Sequence, residues 1–269
     1  MKAITSRDNP FFKRLVKLAT STKQRRAADL ILLDGTHLIS AYCATLGSPQ
    51  NLVVSESGGE NVEIKQLLVE RRGKGEEDVT VLSDALFRQI SPVKTPTGIV
   101  ALVSIPLPEA IPVHKGASFF VLLEAIQDPG NVGSILRSAV AAGASDIYLS
   151  EGCADAWSPK TLRAAMGAHF LVRIHEQADL TEVARGFGGK VIATVLKSNK
   201  SLYQTSLTGR VAFMFGNEGA GLSDELLQAT SEQITIPMPG RTESLNAAAA
   251  AAVCFFERVR QMEMEKVGE

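Results

Sequence analysis

Cysteine is scarce. Cys43, Cys153 and Cys254 are scattered over 269 residues, with no metal-ligand spacing and no readable disulfide framework, as suits a reducing cytoplasm. The four histidines, His37, His114, His169 and His175, form no ligand cluster either, so no metal is expected. Long apolar runs are missing. The longest, residues 247–256, falls short of the roughly 18 residues of a membrane span, and the amino terminus is too charged for a signal peptide. Excess charge is also missing: the net is −1, so the overall balance says nothing about a nucleic-acid partner. What is present is the 45% hydrophobic content of an ordinary globular protein, enough to build a sizeable core. The expectation is a cytoplasmic protein without membrane spans.

Charge is unevenly distributed. Residues 1–26 hold Lys2, Arg7, Lys13, Arg14, Lys17, Lys23, Arg25 and Arg26 against Asp8 alone. Such an arm suits phosphates, with Arg7, Lys13, Arg14, Arg25 and Arg26 as candidate contacts to a nucleic-acid backbone, and it equally suits a solvated amphipathic helix. Pro106, Pro108 and Pro112 interrupt residues 105–116 and forbid a continuing helix or central strand. This linker separates an expected domain over 1–104 from one over 117–269. The first begins with a basic helix over 10–28. Four β-rich runs follow, at 30–33, 52–54, 79–82 and 99–103. Between them lie helical patterns at 38–46, 62–71 and 84–90, and an exposed loop is expected at 71–78. This pattern predicts a small α/β domain. The second has apolar runs at 119–123, 146–149, 171–174, 191–195, 211–215 and 233–236. Their continuity suits strands covered on both faces, and hence a parallel α/β sheet with ligands at the carboxyl ends of its strands.

Three loops after strands stand out, at 124–137, 216–223 and 237–246. None is a phosphate loop, a dinucleotide fingerprint or a nucleophile elbow: the glycines at 216, 219 and 221 run in the reverse of the dinucleotide spacing. Singly, each residue has a bland reading. Asn131 and Ser244 could cap helices, Arg137 points away from the apolar stripe of its helix, and Glu218 could be a solvated turn residue. Jointly, each loop brings an Asn plus a hydroxyl or a charge to one sheet edge. Composition and spacing alone lead to an α/β ligand-binding domain whose ligand stays open.

At these residues the chain resembles the SpoU/TrmH family of RNA ribose methyltransferases, within the SPOUT superfamily. Asn131 and Arg137 match its first motif. Phe215-Gly-Asn-Glu-Gly-Ala-Gly-Leu-Ser223 matches the second, and Ile236-Pro-Met-Pro-Gly with Ser244-Leu-Asn246 the third. Ser6-x-x-Asn-Pro-x-x-Lys13 and Leu33-Asp-Gly-x-His-Leu-Ile39 resemble the family's substrate-binding domain. One departure stands out: Ala247 and Ala248 replace the usual Val-Ser, which removes a hydroxyl but not the backbone.

The resemblance implies a catalytic domain with a deep trefoil knot, a homodimer sharing its active site, and S-adenosylmethionine as methyl donor to a ribose 2′-hydroxyl. The separate amino-terminal domain favours ribosomal over transfer RNA. The implied catalytic residues are Asn131, Arg137, Glu218, Ser244 and Asn246, and the implied cofactor contacts are Thr194, Gly216, Ile236, Met238, Leu245 and Ala248. Guanidinium is effectively never deprotonated in proteins, so a role for Arg137 in orienting phosphate is preferred to that of general base. The rival readings are a transfer-RNA enzyme, a non-catalytic RNA-binding protein of the same fold, another α/β transferase with a nucleotide cofactor, and a protein-interaction role for the first domain.

Overall fold

The computed structural model describes residues 2–72, 78–111 and 119–268. The chain divides by packing into two units. One is Met1–Ile111 with Trp157–Phe170; the other is Pro112–Ala156 with Leu171–Glu269.

The first unit carries β1 (Lys2–Ile4), α1 (Pro10–Thr20), α2 (Thr22–Ala28), β2 (Leu30–Asp34), α3 (Thr36–Thr45), β3 (Asn51–Ser55), α4 (Val62–Arg72), β4 (Asp78–Leu82), α5 (Asp84–Phe87) and β5 (Ile99–Ser104). Its five-stranded sheet has the order β1-β4-β3-β5-β2. The β1–β4 and β4–β3 pairs are parallel; those of β5 with β3 and β2 are antiparallel. Three residues are too short for periodicity to reveal, and β1 was not expected. The Asn-Pro motif has a local cause: Asn9 Oδ1 accepts from the Phe11 and Phe12 amides at 2.9 and 3.3 Å, capping α1 with Pro10 in its first position. Phe12, Leu15 and Leu18 of α1 pack into the core with Val53, Leu82 and Val100.

The basic helix expected over 10–28 is two helices. Ser21 is extended, at φ −128° and ψ 114°, and caps α2 through the Gln24 amide. The run Thr20-Ser21-Thr22 offers the backbone side-chain oxygens in place of helical partners, which favours a break. Of the loop expected at 71–78, residues 73–77 lie outside the described residues, as do 112–116 of the linker and 117–118 at the start of the expected second domain.

The second unit holds β6 (Phe119–Leu123), α6 (Pro129–Ala141) and β7 (Asp146–Leu149). The next helix, α7 (Pro159–Ala165), lies in the segment that packs with the first unit. Then come β8 (Arg173–His175), α8 (Leu180–Gly186), β9 (Lys190–Thr194), β10 (Val211–Phe215), α9 (Asp224–Gln228), β11 (Glu232–Ile234) and α10 (Ala247–Gly268). The six strands form a parallel sheet of order β11-β9-β10-β6-β7-β8, as their continuous apolar runs predict. Strand β8 sits two residues later than expected, because Arg173 and His175 pair with Asp146 and Tyr148 and both side chains reach the Asp146 carboxylate.

A division at 105–116 alone puts residues 157–170 in the second domain. They pack with the first unit instead: Leu162 and Phe170 are buried, and the Phe170 ring meets Tyr42 of α3 edge-on at 5.4 Å. Chain order cannot show such an exchange.

Helices α6 and α10 pack side by side in the second unit. Phe255 of α10 meets the rings of Phe119 and Phe215 at 5.3 and 5.6 Å, edge-to-face contacts that add to burial. This packing holds the amino-terminal turns of both helices beside the carboxyl ends of β6 and β10.

Candidate active site

The three loops singled out in the sequence leave the carboxyl ends of β6, β10 and β11 and converge. The loop after β10 is a tight turn closed by two backbone hydrogen bonds, Asn217 N–H to Gly221 O at 3.1 Å and Gly221 N–H to Asn217 O at 2.9 Å. Inside it, Asn217 Oδ1 accepts from the Gly219 and Ala220 amides, while its Nδ2 donates to Ala125 O at 2.8 Å. Glu124 fastens the far side by accepting from the Ser223 amide at 2.7 Å. A β-carbon on Gly216 would overlap the carbonyl of Gly221 and the nitrogen of Leu222, so only glycine fits there.

Asn246, Asn131 and Glu218 form one hydrogen-bonded chain. Asn131 Nδ2 donates to Glu218 Oε1 at 2.9 Å, and Asn246 Nδ2 donates to Asn131 Oδ1 at 2.9 Å. Asn246 Oδ1 accepts from the Ala248 and Ala249 amides, capping α10. Both ends set the direction: an ionised carboxylate can only accept, and a backbone amide can only donate. Glu218 also accepts from the Gln127 and Asp128 amides at 3.2 and 3.4 Å. Burial pushes its pKa upward, but the hydrogen bonds from Asn131 and these amides outweigh burial and hold it below the ordinary glutamate value. Glu218 is therefore an anion at neutral pH and orients its neighbours; it has no proton to give.

Beside this chain opens a cavity of about 600 Å³ lined by the ends of β9 and β10, the loop 216–222 and residues 235–250. That size suits a small cofactor. Its charged lining side chains are Glu218 and Glu243, with no cation among them. Two carboxylates favour a ligand carrying positive charge and repel one carrying phosphates. A second, more open cleft shares Leu196, Thr235, Ile236, Met238 and Glu243 with it and adds Lys197, Ser198 and Asn199.

The sequence pattern of the SpoU rRNA Methylase family matches residues 118–256, slightly more than half of the chain. The chain belongs to the SpoU family. An MRM3-like substrate binding domain matches residues 9–101. An uncharacterised tRNA/rRNA methyltransferase of Synechocystis is 33% identical over 263 residues, covering 96% of this chain and 94% of that protein. The 23S rRNA guanosine 2′-O-methyltransferase RlmP of Bacillus subtilis is 30% identical over 264 residues, covering 95% and 98%. Among solved structures, AviRb of Streptomyces viridochromogenes in complex with AdoMet superposes with a TM-score of 0.84 at 26% identity, covering 95% of this chain and 98% of that one. An AdoMet-bound rRNA methyltransferase from Sinorhizobium meliloti gives 0.81 at 28%, covering 97% and 98%.

Measured against the SpoU motifs, the sequence-chosen residues fall into three groups. Glu218, Ser244 and Asn246 line the cavity together with Thr194, Gly216, Ile236, Met238 and Leu245. Asn131 reaches it through its two hydrogen bonds. Arg137 and Ala248 do not line it: Arg137 lies exposed on α6 with no hydrogen bond or ion pair to any described residue, and Ala248 contributes its amide to the Asn246 cap. Two caps differ from the bland reading: α6 is capped by Asp128, which accepts from the Asn131 amide at 3.0 Å, and α10 by Asn246 rather than Ser244. Thr194 has already spent its hydroxyl proton on Met214 O at 2.6 Å.

Of the candidate RNA contacts, Arg25 drops out. It is buried and donates to Leu18 O at 2.7 Å and to Thr22 Oγ1 at 3.0 Å. Arg7, Lys13, Arg14 and Arg26 are exposed. Sequence reasoning missed Glu243 and Asn217. Each sits in a chosen loop, but only the fold reveals that one lines the cavity and the other closes the turn.

Among the described residues no group of His, Cys, Asp or Glu could hold a metal ion, and no helix is long and apolar enough to cross a membrane.

Proposed function

We propose that this SpoU protein transfers a methyl group from S-adenosylmethionine to a ribose 2′-hydroxyl of ribosomal RNA. The observation that carries this reading is the cavity whose charged side chains, among the described residues, are both carboxylates, set against the Asn246–Asn131–Glu218 chain. A sulfonium cofactor fits such a lining, and a nucleotide cofactor with phosphates does not. Thr194, Gly216, Ile236, Met238 and Leu245 would hold the cofactor, with the Gly216 backbone left open to it by the missing β-carbon. When bound, S-adenosylmethionine supplies an electrophilic methyl group that departs from a sulfonium as that sulfur becomes neutral.

The chain's own residues position and orient. Glu218 holds Asn131, Asn131 holds Asn246, and Asn246 in turn fixes the first turn of α10. Positioning of this kind is worth several kcal/mol of barrier. Arg137, exposed on α6 and unpaired among the described residues, can engage an RNA phosphate through its planar fork. Because Arg137 lies off the cavity lining, this reading includes a homodimer in which a second copy completes the site. It also includes the trefoil knot of the family, supported by the likeness to the AdoMet-bound AviRb and Sinorhizobium meliloti structures over nearly the whole chain. A cytoplasmic setting is supported by three free cysteines.

The test is transfer of labelled methyl from S-adenosylmethionine to unmodified ribosomal and transfer RNA fractions, beside Arg137→Ala, with ribose-methylation mapping of the product. Label on a 2′-oxygen of ribosomal RNA, lost in the variant while cofactor binding persists, is the expected result. Label on transfer RNA alone would refute the substrate class, and label on a base would refute the reaction.

A further inference from the structure

The break at Ser21 folds α2 back beside α1, and the elbow holds a groove of about 350 Å³ lined by Pro10, Lys13, Arg14, Lys17, Leu18, Gln24 and Ala28. We propose that this groove seats the phosphate backbone of the RNA, fixing the register of the substrate strand on the first unit. The inference rests on the RNA-methyltransferase reading for its ligand and adds a site to it.

Three cations and one amide line the groove, and no carboxylate does. Arg14 and Lys17 are exposed and make no ion pair or side-chain hydrogen bond with any described residue. Lys13 pairs with Asp8 at 2.8 Å, with both side chains largely in solvent at 56% and 91% exposure. An exposed pair like this is worth little, so an RNA phosphate can replace the carboxylate at small cost.

The groove has a built floor. The Arg25 guanidinium, buried within the elbow, bonds Leu18 O in the last turns of α1 and Thr22 Oγ1 at the start of α2. It thereby ties the two helices together, with the three cations on the one groove between them. Phe12, Leu15 and Leu18 anchor α1 in the core beneath, so the cations sit on a rigid element and not on a mobile arm. Lysine side chains and a backbone groove without aromatic platforms suit sequence-independent phosphate contact rather than base readout.

The experiment measures binding of an unmodified large-subunit ribosomal RNA transcript between 50 and 200 mM salt, for the whole protein. Each phosphate contact adds roughly 0.7–0.9 to the slope of log affinity against log salt, so the wild-type slope should exceed that of the Lys13→Gln, Arg14→Gln, Lys17→Gln triple variant by about 2–3, which means ~30-fold more affinity lost over this range. The matched control neutralises Lys65, Arg88 and Lys94 on the same unit, all exposed, and should keep the wild-type slope. An unchanged slope in the groove variant overturns the proposal, and so does an equal loss in the control, which would mean diffuse attraction. Labelled-methyl transfer is read in the same samples. Its absence in the wild type would sink the methyltransferase reading, while the slopes would still decide the groove.

Discussion

Three glycines in the loop after β10 should respond differently to the same substitution. At Gly216, a β-carbon would collide with the backbone of Gly221 and Leu222, and backbone held by two turn hydrogen bonds cannot step aside cheaply. Overpacking of this kind costs about 1–3 kcal/mol, and rigid neighbours place Gly216→Ala near the top of that range. At roughly 2–4 °C per kcal/mol for a domain of this size, its melting temperature should fall by about 6–12 °C. At Gly221 there is open space, but φ is +74°. The left-handed backbone costs an L-residue about 1–2 kcal/mol, partly offset by the stiffer unfolded chain, leaving a fall of ~2–4 °C. At Gly219 a β-carbon would meet only Asn217 Oδ1 at 3.5 Å, so Gly219→Ala should be neutral or slightly stabilising by up to about 1 kcal/mol. Thermal melts of the three variants decide the matter, and calorimetric titration with S-adenosylmethionine supplies a second reading. Gly216→Ala should lose at least ~10-fold in affinity, which corresponds to about 1.4 kcal/mol. Equal shifts at all three positions, or a harmless Gly216→Ala, would refute the packing argument and with it the assignment of the Gly216 backbone as a cavity wall.

Other perturbations test the hydrogen-bonded chain and the folded core. Asn131→Asp replaces a donor with a carboxylate 2.9 Å from Glu218; in this solvent-exposed setting the repulsion is roughly 1–2 kcal/mol, and methyl transfer should fall at least ~10-fold while Asn131→Gln or Ser loses less. Asp146 is buried and accepts from Arg173 at 2.6 Å and His175 at 3.0 Å. Burial raises its pKa, yet the hydrogen bonds from His175 and Arg173 bring it below the ordinary 3.8. Its contribution is therefore complete above the unfolded-state value and is lost as pH falls through the folded one, so the wild type should lose stability in an acid melt below about pH 4 where Asp146→Asn shows a smaller further decline. At pH 7, Asp146→Asn should cost about 2–3 kcal/mol, discounted from the figure for a fully buried pair because Arg173 is partly exposed. Arg25→Leu leaves Leu18 O without its donor and should cost ~1–3 kcal/mol in a denaturant melt; stability equal to the wild type would mean that Arg25 does not tie the elbow.

Local chemistry and strand periodicity were legible in the sequence. Apolar runs covered on both faces announce a parallel sheet because burial on both sides leaves no polar alternation to read, and four of its six strands lie within a residue of their expected bounds, while β8 starts two residues late and β11 ends two residues early. Gly-rich and Pro-rich segments after strands mark candidate loops because only such residues make those turns. Short β1 and the shifted β8 escaped because three residues carry too little pattern, and their register depends on partners far along the chain. The role of Arg25 escaped for a similar reason. A basic residue in a basic helix reads as solvated, and only the break at Ser21 turns it inward. The packing of residues 157–170 with the first unit has no local signal at all.

The sequence by itself determined which residue types stand at the loops and the family to which their spacing belongs, because those properties are local and chemical. The tertiary structure decided which of them meet. Asn131 and Asn246 are 115 positions apart and Asn131 and Glu218 are 87 apart, and they share one hydrogen-bonded chain because α6 and α10 pack together at the same sheet edge. The absence of cations from the cavity lining is likewise a property of the assembled surface, since Arg241 stands in the third loop and Lys197 shortly after β9, and only packing determines that neither lines the cavity.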